Sequence, residues 1–208
     1  MKYKLINFDM DGTLIYKTTA HLFYASILGC RKEMEQLEAK FSQNEISYSV
    51  FANELFVLFK ELNLDIIDSN FLKMPKISRI SETIEQLRRQ GFLISIITSS
   101  GVHFANSFLK EYELDYSAGS IHKINNGYIG ESEYLCTSEE KVIKLKKFAS
   151  SRGISMKECI SVGDSFTDVG LFNNVGMSIA LNAKTEIEPL ATKSLTTNDL
   201  TEIISFIE

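Results

Sequence analysis

The chain has 208 residues, of which 44% are hydrophobic and 24% are charged, as in a soluble globular protein of one domain, with or without a small insert. A net charge of −5 with no basic patch argues against nucleic acid or an anionic membrane as a partner. Cys30, Cys136 and Cys159 are odd in number and far apart, which is typical of reduced thiols rather than a disulfide framework. Because no apolar run could span a bilayer and no signal peptide is evident, we expect a cytoplasmic protein. The sequence leaves open whether it is a monomer or a homodimer.

The first predicted element is a buried parallel strand over Leu5–Phe8, which is a short apolar run. Asp9 and Asp11 follow where the strand ends, and Gly12 lets the chain turn without a side chain. Ligands of open α/β sheets bind beyond the carboxyl ends of the strands. The two acids can therefore hold a hard cation and supply a nucleophile. Taken alone, this stretch also fits two solvated turn acids, because Asp and Gly are common turn residues.

Residues 16–75 predict a small helical module inserted after the first strand. Their apolar residues recur at helical spacing without a convincing strand. Ser47 is a candidate helix N-cap, and Pro75 ends the pattern. The many Phe residues predict a helical core, and some of them are expected at the mouth of a site. The predicted organisation is a catalytic core of residues 1–15 and 76–208, with residues 16–75 as a cap.

After Lys76, predicted helices and strands alternate. Strands are predicted over residues 92–97, 115–118, 159–162 and 177–180, and helices around residues 80–87, 102–109 and 137–152. Asn126-Gly127, between β-prone residues, predicts a hairpin. This order predicts an α/β protein with a doubly wound, mostly parallel sheet.

Polar residues follow three of these strands. They are Asp9 and Asp11 after the first, Thr98, Ser99 and Ser100 after the second, and Asp164 and Asp168 after the fourth. In a doubly wound sheet these strand ends share one edge, so the acids would converge and repel each other. A divalent cation relieves that repulsion, and an all-oxygen ligand set suits Mg²⁺ rather than Zn²⁺. Backbone near Gly12 and Ser99 and the nearby hydroxyls would then donate to phosphate oxygens.

Lys141 is the candidate for further positive charge at a phosphate site. It lies in the first turn of a helix that Thr137 is expected to cap, where a cation opposes the helix dipole. Taken alone, a surface lysine paired with Glu139 or Glu140 is the better interpretation. In the same way, a lone hydroxyl such as Thr98 is usually just a turn residue.

The three histidines, His21, His103 and His122, have no metal-binding spacing in the sequence. We therefore expect them to be non-catalytic.

Four stretches together resemble the haloacid dehalogenase superfamily of phosphohydrolases. They are Asp9-Met10-Asp11-Gly12-Thr13, Thr98 after an apolar strand, Lys141, and Gly163-Asp164-Ser165-Phe166-Thr167-Asp168. The match spans almost the whole chain. The spacing from Lys141 to Asp164, the stretch 179–184 and the helical insert are most similar to the phosphoserine phosphatase branch. The resemblance implies a doubly wound α/β core with an inserted helical cap.

The resemblance also implies roles for individual residues. Asp9 would be the nucleophile that becomes an aspartyl-phosphate, and Asp11 would protonate the leaving oxygen and then activate water. Mg²⁺ would be held by Asp9, the main-chain carbonyl of Asp11 and Asp164, with Asp168 orienting this shell or binding through water. Thr98 and Lys141 would hold the transferring phosphoryl oxygens.

The chain departs from the phosphoserine branch where that branch holds its substrate. Thr18 stands where a Glu contacts the substrate amine, and Asn53 where an Arg pairs with its carboxylate. Ser99-Ser100 replaces Gly-Gly, and Thr167 replaces an Asn. These departures predict a small phosphorylated substrate other than phosphoserine.

Two other functions remain open from the sequence. One is a phosphotransferase or phosphomutase on the same fold. The other, less favoured, is a non-enzymatic receiver-like domain that only accepts a phosphoryl group, because receivers also combine acids, a Thr or Ser and a Lys. Receivers, however, carry their phosphorylated Asp on a later strand and have no helical insert.

Overall fold

A single sheet runs through the part of the protein described by the computed structural model, residues 2–43 and 45–207. Within these residues the sheet has seven strands in the order β4-β3-β2-β1-β5-β6-β7. The strands are β1 Leu5–Phe8, β2 Leu93–Gly101, β3 Tyr116–Asn125, β4 Tyr128–Tyr134, β5 Cys159–Gly163, β6 Met177–Leu181 and β7 Lys193–Leu195. All neighbours pair in parallel except β3 and β4, which are antiparallel. The predicted α/β, mostly parallel fold is confirmed.

Among the described residues, four α-helices lie between β1 and the first crossover helix, which spans Ile80–Arg89. The helices are α1 Ala20–Leu28, α2 Arg31–Ser42, α3 Tyr48–Leu58, α4 Leu64–Asn70, α5 Ile80–Arg89, α6 Val102–Glu111, α7 Ser138–Ser151, α8 Val169–Asn174 and α9 Ile204–Ile207. Ser47 caps α3 as predicted, because its side chain accepts a hydrogen bond from the Val50 amide. The helical character of the insert is thereby confirmed for its described residues, whereas its role as a cap stays a prediction.

The central strand β1 is buried along its whole length because helices cover both faces of the sheet. Successive side chains of a strand point to opposite faces. Leu5 accordingly packs in a cluster with Leu145 of α7. Ile6 and Phe8 join the larger cluster that includes Ile84 of α5. This double coverage explains why β1 is a continuous apolar run rather than an alternating one.

The strands on one side of β1 are longer than the sequence predicts. β2 continues past Ile97 to Gly101, and Gly101 pairs with Ser120 of β3 after a shift in register. Residues 98–101 are small and polar, so no hydrophobic pattern predicts a strand there. Only the pairing with β3 extends β2 through these residues. The short edge strand β7 was not predicted for a similar reason, since its three residues show too little pattern.

The predicted hairpin is confirmed. β3 and β4 are joined through Asn126 and Gly127, whose φ values of 48° and 84° are those of the tight turns that favour Asn-Gly. None of the helices in the described residues is both long and apolar enough to cross a membrane.

Candidate active site

The residues at the carboxyl ends of β1, β2 and β5 meet because these three strands are neighbours at the centre of the sheet. The Asp9 amide donates to the Val162 carbonyl oxygen at 2.8 Å, which holds the end of β1 against β5. A cavity of about 430 Å³ opens here. Its lining includes the residues that the sequence predicted to converge, namely Asp9, Asp11, Thr98, Ser99, Ser100 and Asp164.

Lys141 is fully buried beneath this cavity, so the interpretation as a surface lysine is wrong. Its Nζ donates to Asp9 Oδ1 at 2.6 Å, to Asp168 Oδ1 at 2.8 Å and to Thr167 Oγ1 at 3.2 Å. Burial disfavours the ammonium ion, but the two carboxylates outweigh burial, so the pKa of Lys141 lies above its ordinary value. The lysine is therefore a permanent positive charge beside Asp9.

Three acids crowd around this charge. One carboxylate oxygen from each of Asp9, Asp164 and Asp168 lies within 4.8 Å of the others. Burial raises the pKa of Asp9 to about 7; Asp168 adds to this shift and Lys141 opposes it. Burial, together with Asp9 and Asp168, also raises the pKa of Asp164 well above its ordinary value. One lysine thus leaves the cluster short of positive charge, and its all-oxygen donor set fits Mg²⁺.

Asp168 holds the loop that presents Asp164. Its Oδ1 accepts from Lys141, and its Oδ2 accepts from the amides of Asp164 and Ser165, both at 3.2 Å. A Cβ at Gly163 would lie 2.4 Å from the Asp168 carboxyl carbon, so only glycine leaves room for this arrangement. Every oxygen of Asp168 is therefore already engaged within the protein.

Asp11 is held away from the other acids. Its Oδ1 accepts from the Ala20 amide at 2.6 Å, and its Oδ2 accepts from Ser100 Oγ at 2.5 Å. The carboxylate thus faces the first turn of α1 and the end of β2. Gly12, the next residue, has a φ of 78°, and a Cβ there would lie 2.2 Å from Asp164 Oδ2. Glycine is required at this position both for the backbone conformation and for the carboxylate beside it.

The hydroxyls in the last part of β2 are already engaged or buried. Thr98 is 1% exposed, and its Oγ1 accepts from the Ser100 amide at 3.0 Å. The Ser99 hydroxyl is buried and has no hydrogen-bond partner among the described residues. Thr98 and Ser99 remain predicted phosphate-binding residues.

One wall of the cavity comes from the insert; the sequence predicts Phe residues at the mouth of the site without identifying which ones. Glu38 and Phe41 of α2 line the cavity with Tyr48 and Phe51 of α3. Thr19 Oγ1 donates to Glu38 Oε1 at 2.7 Å. Burial raises the pKa of Glu38 to about 7. By contrast, Thr18 and Asn53, the positions at which the family resemblance implies substrate contacts, are not among the described lining residues.

The three histidines lie together rather than scattered. His21, His103 and His122 surround a small cavity next to the main one. Burial lowers the pKa of all three, to about 3 for His103 and about 4 for His122. The long sequence separations of the three residues gave no sign of this contact.

The chain is similar over most of its length to several known proteins. A family model described as haloacid dehalogenase-like hydrolase matches residues 6–173. A phosphoserine phosphatase of Methanocaldococcus jannaschii is 24% identical over 100% of this chain and 99% of its own. A phosphoserine phosphatase of Streptococcus thermophilus is 22% identical over 98% of this chain and 95% of its own. A solved structure of a phosphoserine phosphatase, an analogue of its phospho-aspartyl intermediate, superimposes with a TM-score of 0.85 at 23% identity, covering 100% of both chains.

Proposed function

The chain belongs to the haloacid dehalogenase-like hydrolase family and is a phosphatase of that family, and on that basis we propose that it hydrolyses a small phosphomonoester through an aspartyl-phosphate on Asp9. The observation that carries this proposal is the position of the Asp9 carboxylate. It lines an open cavity on one side and lies 2.6 Å from the buried ammonium of Lys141 on the other. A carboxylate in such a place can attack an electrophile from the cavity while its charge is balanced from behind.

The proposed reaction has two steps. In the first, an Asp9 oxygen bonds to phosphorus, the ester bond breaks, and Asp11 gives a proton to the leaving oxygen. In the second, Asp11 takes a proton from water, the water oxygen attacks phosphorus, and phosphate leaves with the Asp9 carboxylate restored. Ser100 and the Ala20 amide hold Asp11 for both transfers. Lys141 and Thr98 stabilise the negative charge that develops on the phosphoryl oxygens. The backbone around Gly12 and Ser99 contributes to the same stabilisation.

We propose that Mg²⁺ is bound by Asp9, the main-chain carbonyl of Asp11 and Asp164, with Asp168 orienting Asp164. The three clustered carboxylates and their single lysine fit such an ion, because unbalanced buried acids repel each other. When bound, Mg²⁺ supplies positive charge that polarises the phosphoryl group. The Gly12 backbone, against which the Asp164 carboxylate lies, keeps this acid in place.

Phosphoserine is the first substrate to test, because the relatives in the comparison are named phosphoserine phosphatases. This counts against the expectation that phosphoserine is not the substrate. That expectation rested on Thr18 and Asn53 as the replaced contact residues, and neither is among the described lining residues of the cavity. A carboxylate from another position, Glu38, lies in the cavity instead.

The experiment is a panel of phosphomonoesters, including phosphoserine and p-nitrophenyl phosphate, with Mg²⁺ and after its removal by chelation. We expect Mg²⁺-dependent release of phosphate, and a loss of at least about 1,000-fold in Asp9→Asn. Borohydride reduction of the enzyme during turnover should label Asp9, because it reduces an acyl phosphate but not a free carboxylate. Undiminished turnover in Asp9→Asn would refute the mechanism.

Transfer to another acceptor is the second candidate. Water and an added alcohol compete for the same aspartyl-phosphate, so the ratio of transferred phosphate to free phosphate separates a phosphotransferase from a hydrolase. We expect free phosphate to dominate at millimolar alcohol.

A further inference from the structure

The cavity wall formed by α2 and α3 combines one carboxylate with three aromatic rings. Ring centroids are 5.7 Å apart for Phe41 and Tyr48, 4.8 Å for Phe41 and Phe51, and 6.4 Å for Tyr48 and Phe51. Glu38 lines the same cavity, one turn before Phe41 on α2. We call these four residues the aromatic-acid wall. It faces the cavity that also contains Asp9, so a substrate attached there by its phosphate would extend towards it.

Glu38 is held in place without a cationic partner in the described parts of the chain. Its hydrogen bond comes from Thr19 Oγ1 at 2.7 Å, which is a neutral donor. No salt bridge of Glu38 occurs among the described residues. Burial, with a smaller contribution from the nearby Asp11 carboxylate, raises the pKa of Glu38 to about 7, and the Thr19 hydrogen bond and the more distant charge of Arg31 oppose this shift without cancelling it. A carboxylate that is desolvated and unpaired has more to gain from a cation than one exposed to water.

The rings have a fixed position as well. Tyr48 Oη donates to the Ser99 carbonyl oxygen at 2.7 Å, so this side chain joins α3 to the end of β2. Phe51 is only 6% exposed and packs in the main core. The faces of such rings attract cations, and rings packed beside a carboxylate form a pocket suited to an ammonium group. A packed core alone would account for the rings, but not for a carboxylate among them.

Positive charge on this side of the cavity is scarce. The described lining residues include a single lysine, Lys184, which is exposed, and no arginine. A substrate carboxylate would therefore find one exposed lysine, whereas a substrate ammonium would find Glu38 beside three aromatic side chains.

We propose that the aromatic-acid wall binds an ammonium group on the organic part of the substrate, which makes the substrate class alkylammonium phosphomonoesters. The inference rests on the proposed function, since it assumes that the phosphate end of the substrate lies at Asp9. Glu38 is then the residue that determines specificity, and the ammonium is recognised without need of a carboxylate. Phosphoethanolamine, phosphocholine and phosphoserine all share this chemistry.

The test compares ligands that differ only in charge. Binding of 2-aminoethylphosphonate and of propylphosphonate, whose C–P bonds are not hydrolysed by attack on an ester, is measured by calorimetry with Mg²⁺ present. We expect the amino compound to bind at least about tenfold more tightly, because a hydrogen-bonded charge pair is worth that much. In Glu38→Gln the difference should shrink to the roughly threefold that the rings supply, while Glu35→Gln, an exposed acid on the same helix paired with Arg31, should retain it in full.

A second pair of compounds, phosphocholine and its neutral isostere 3,3-dimethylbutyl phosphate, tests the rings. We expect Phe41→Leu, which keeps an apolar side chain, to lower kcat/KM for phosphocholine about threefold or more. The kcat/KM for 3,3-dimethylbutyl phosphate should fall by less than that. Equal losses for both compounds would mean that Phe41 supplies only packing, which would overturn its part in the ammonium site.

The outcomes separate this inference from the proposed function. If p-nitrophenyl phosphate is hydrolysed in an Asp9-dependent way but the two phosphonates bind equally, the ammonium site is refuted and the phosphatase stands. If the amino compound binds more tightly through Glu38 but no phosphomonoester is hydrolysed, the site stands and the proposed function falls. A kcat/KM for phosphoserine more than about tenfold above that for phosphoethanolamine would show that the carboxylate is also recognised, and would overturn the claim that the ammonium suffices.

Discussion

Lys141 Nζ lies 2.6 Å from Asp9 Oδ1, and both side chains are almost completely buried, with 0% and 5% of their surfaces exposed. The two residues are 132 positions apart in the chain. Their contact joins Asp9, the proposed nucleophile that directly follows β1, to α7, which packs beside this strand. Because Lys141 also binds Asp168, a single side chain ties together three of the motifs that the sequence analysis singled out.

Replacing Lys141 by Met should cost both stability and activity. The substitution leaves Asp9 and Asp168 buried without their cation, which should lower the free energy of unfolding by about 3 kcal/mol at pH 7. Phosphate release should fall by at least about 100-fold, because charge on the phosphoryl oxygens is no longer balanced. Denaturant unfolding and steady-state kinetics measure the two effects. Lys146→Met, which changes an exposed lysine of the same helix, should change neither, and a stable, active Lys141→Met would contradict the prediction.

Substituting Gly12 tests the contact between backbone and acid, and Gly29 offers a matched control. Both glycines have a φ of 78°, but only at Gly12 would an added Cβ meet another group, at 2.2 Å from Asp164 Oδ2. An alanine at either position should destabilise the fold by about 1 kcal/mol, the usual penalty for a left-handed backbone with a side chain.

Only Gly12→Ala should also impair catalysis, because it displaces the Asp164 carboxylate. We expect kcat/KM to fall about 100-fold, as for an active-site group moved by about 1 Å, and the Mg²⁺ concentration for half-maximal activity to rise. Gly29→Ala should keep both values. Equal kinetics in the two variants would show that Asp164 can move without consequence.

Ser100 should affect catalysis because its hydroxyl holds the Asp11 carboxylate. Removing its hydroxyl in Ser100→Ala takes away the 2.5 Å hydrogen bond to Asp11 Oδ2. A hydrogen bond to a charged group is worth roughly 2 kcal/mol, so we expect kcat to fall about tenfold or more with little change in KM. Ser100→Thr, which restores the hydroxyl, should recover part of the rate. Ser107→Ala is the control, since this buried hydroxyl has no partner in the described residues.

Acid should destabilise the fold through two partly buried histidines, His103 and His122. The folded protein keeps His103 and His122 neutral down to pKa values of about 3 and about 4, because burial disfavours the charged rings. The unfolded chain takes up these protons near pH 6.5. Between about pH 6.5 and pH 4 the unfolded state therefore binds more protons, and these two residues make stability fall as the pH falls.

The raised pKa values of Asp9 and Glu38 act in the opposite direction over part of this range, so the histidine contribution is best measured as a difference between variants. From pH 7 to pH 5, wild type should lose on the order of 1 kcal/mol more stability than His122→Gln. Unfolding curves at both pH values give the result. Lys123→Gln, an exposed neighbour, should follow the wild type, and an identical pH dependence in His122→Gln would exclude this contribution.

Part of the site followed from the order of the sequence alone. Asp9 and Asp164 each follow an apolar run, and the carboxyl ends of parallel strands meet at one edge of the sheet, so their convergence was predictable. Strand β1 and the turn at Asn126 were predictable because their signals are local. These signals are a continuous apolar run and a dipeptide that favours positive φ.

Other features had no local signal. Strand β2 extends through small polar residues to Gly101 because β3 pairs with them. The aromatic-acid wall exists because α2 and α3 pack so that Glu38 and Phe51 face one cavity. The sequence alone thus determined the order of the motifs and the type of sheet, since periodicity and strand ends are properties of neighbouring residues. Only the tertiary structure decided that Lys141 is buried and that the histidines cluster, because burial and contact depend on how distant segments pack.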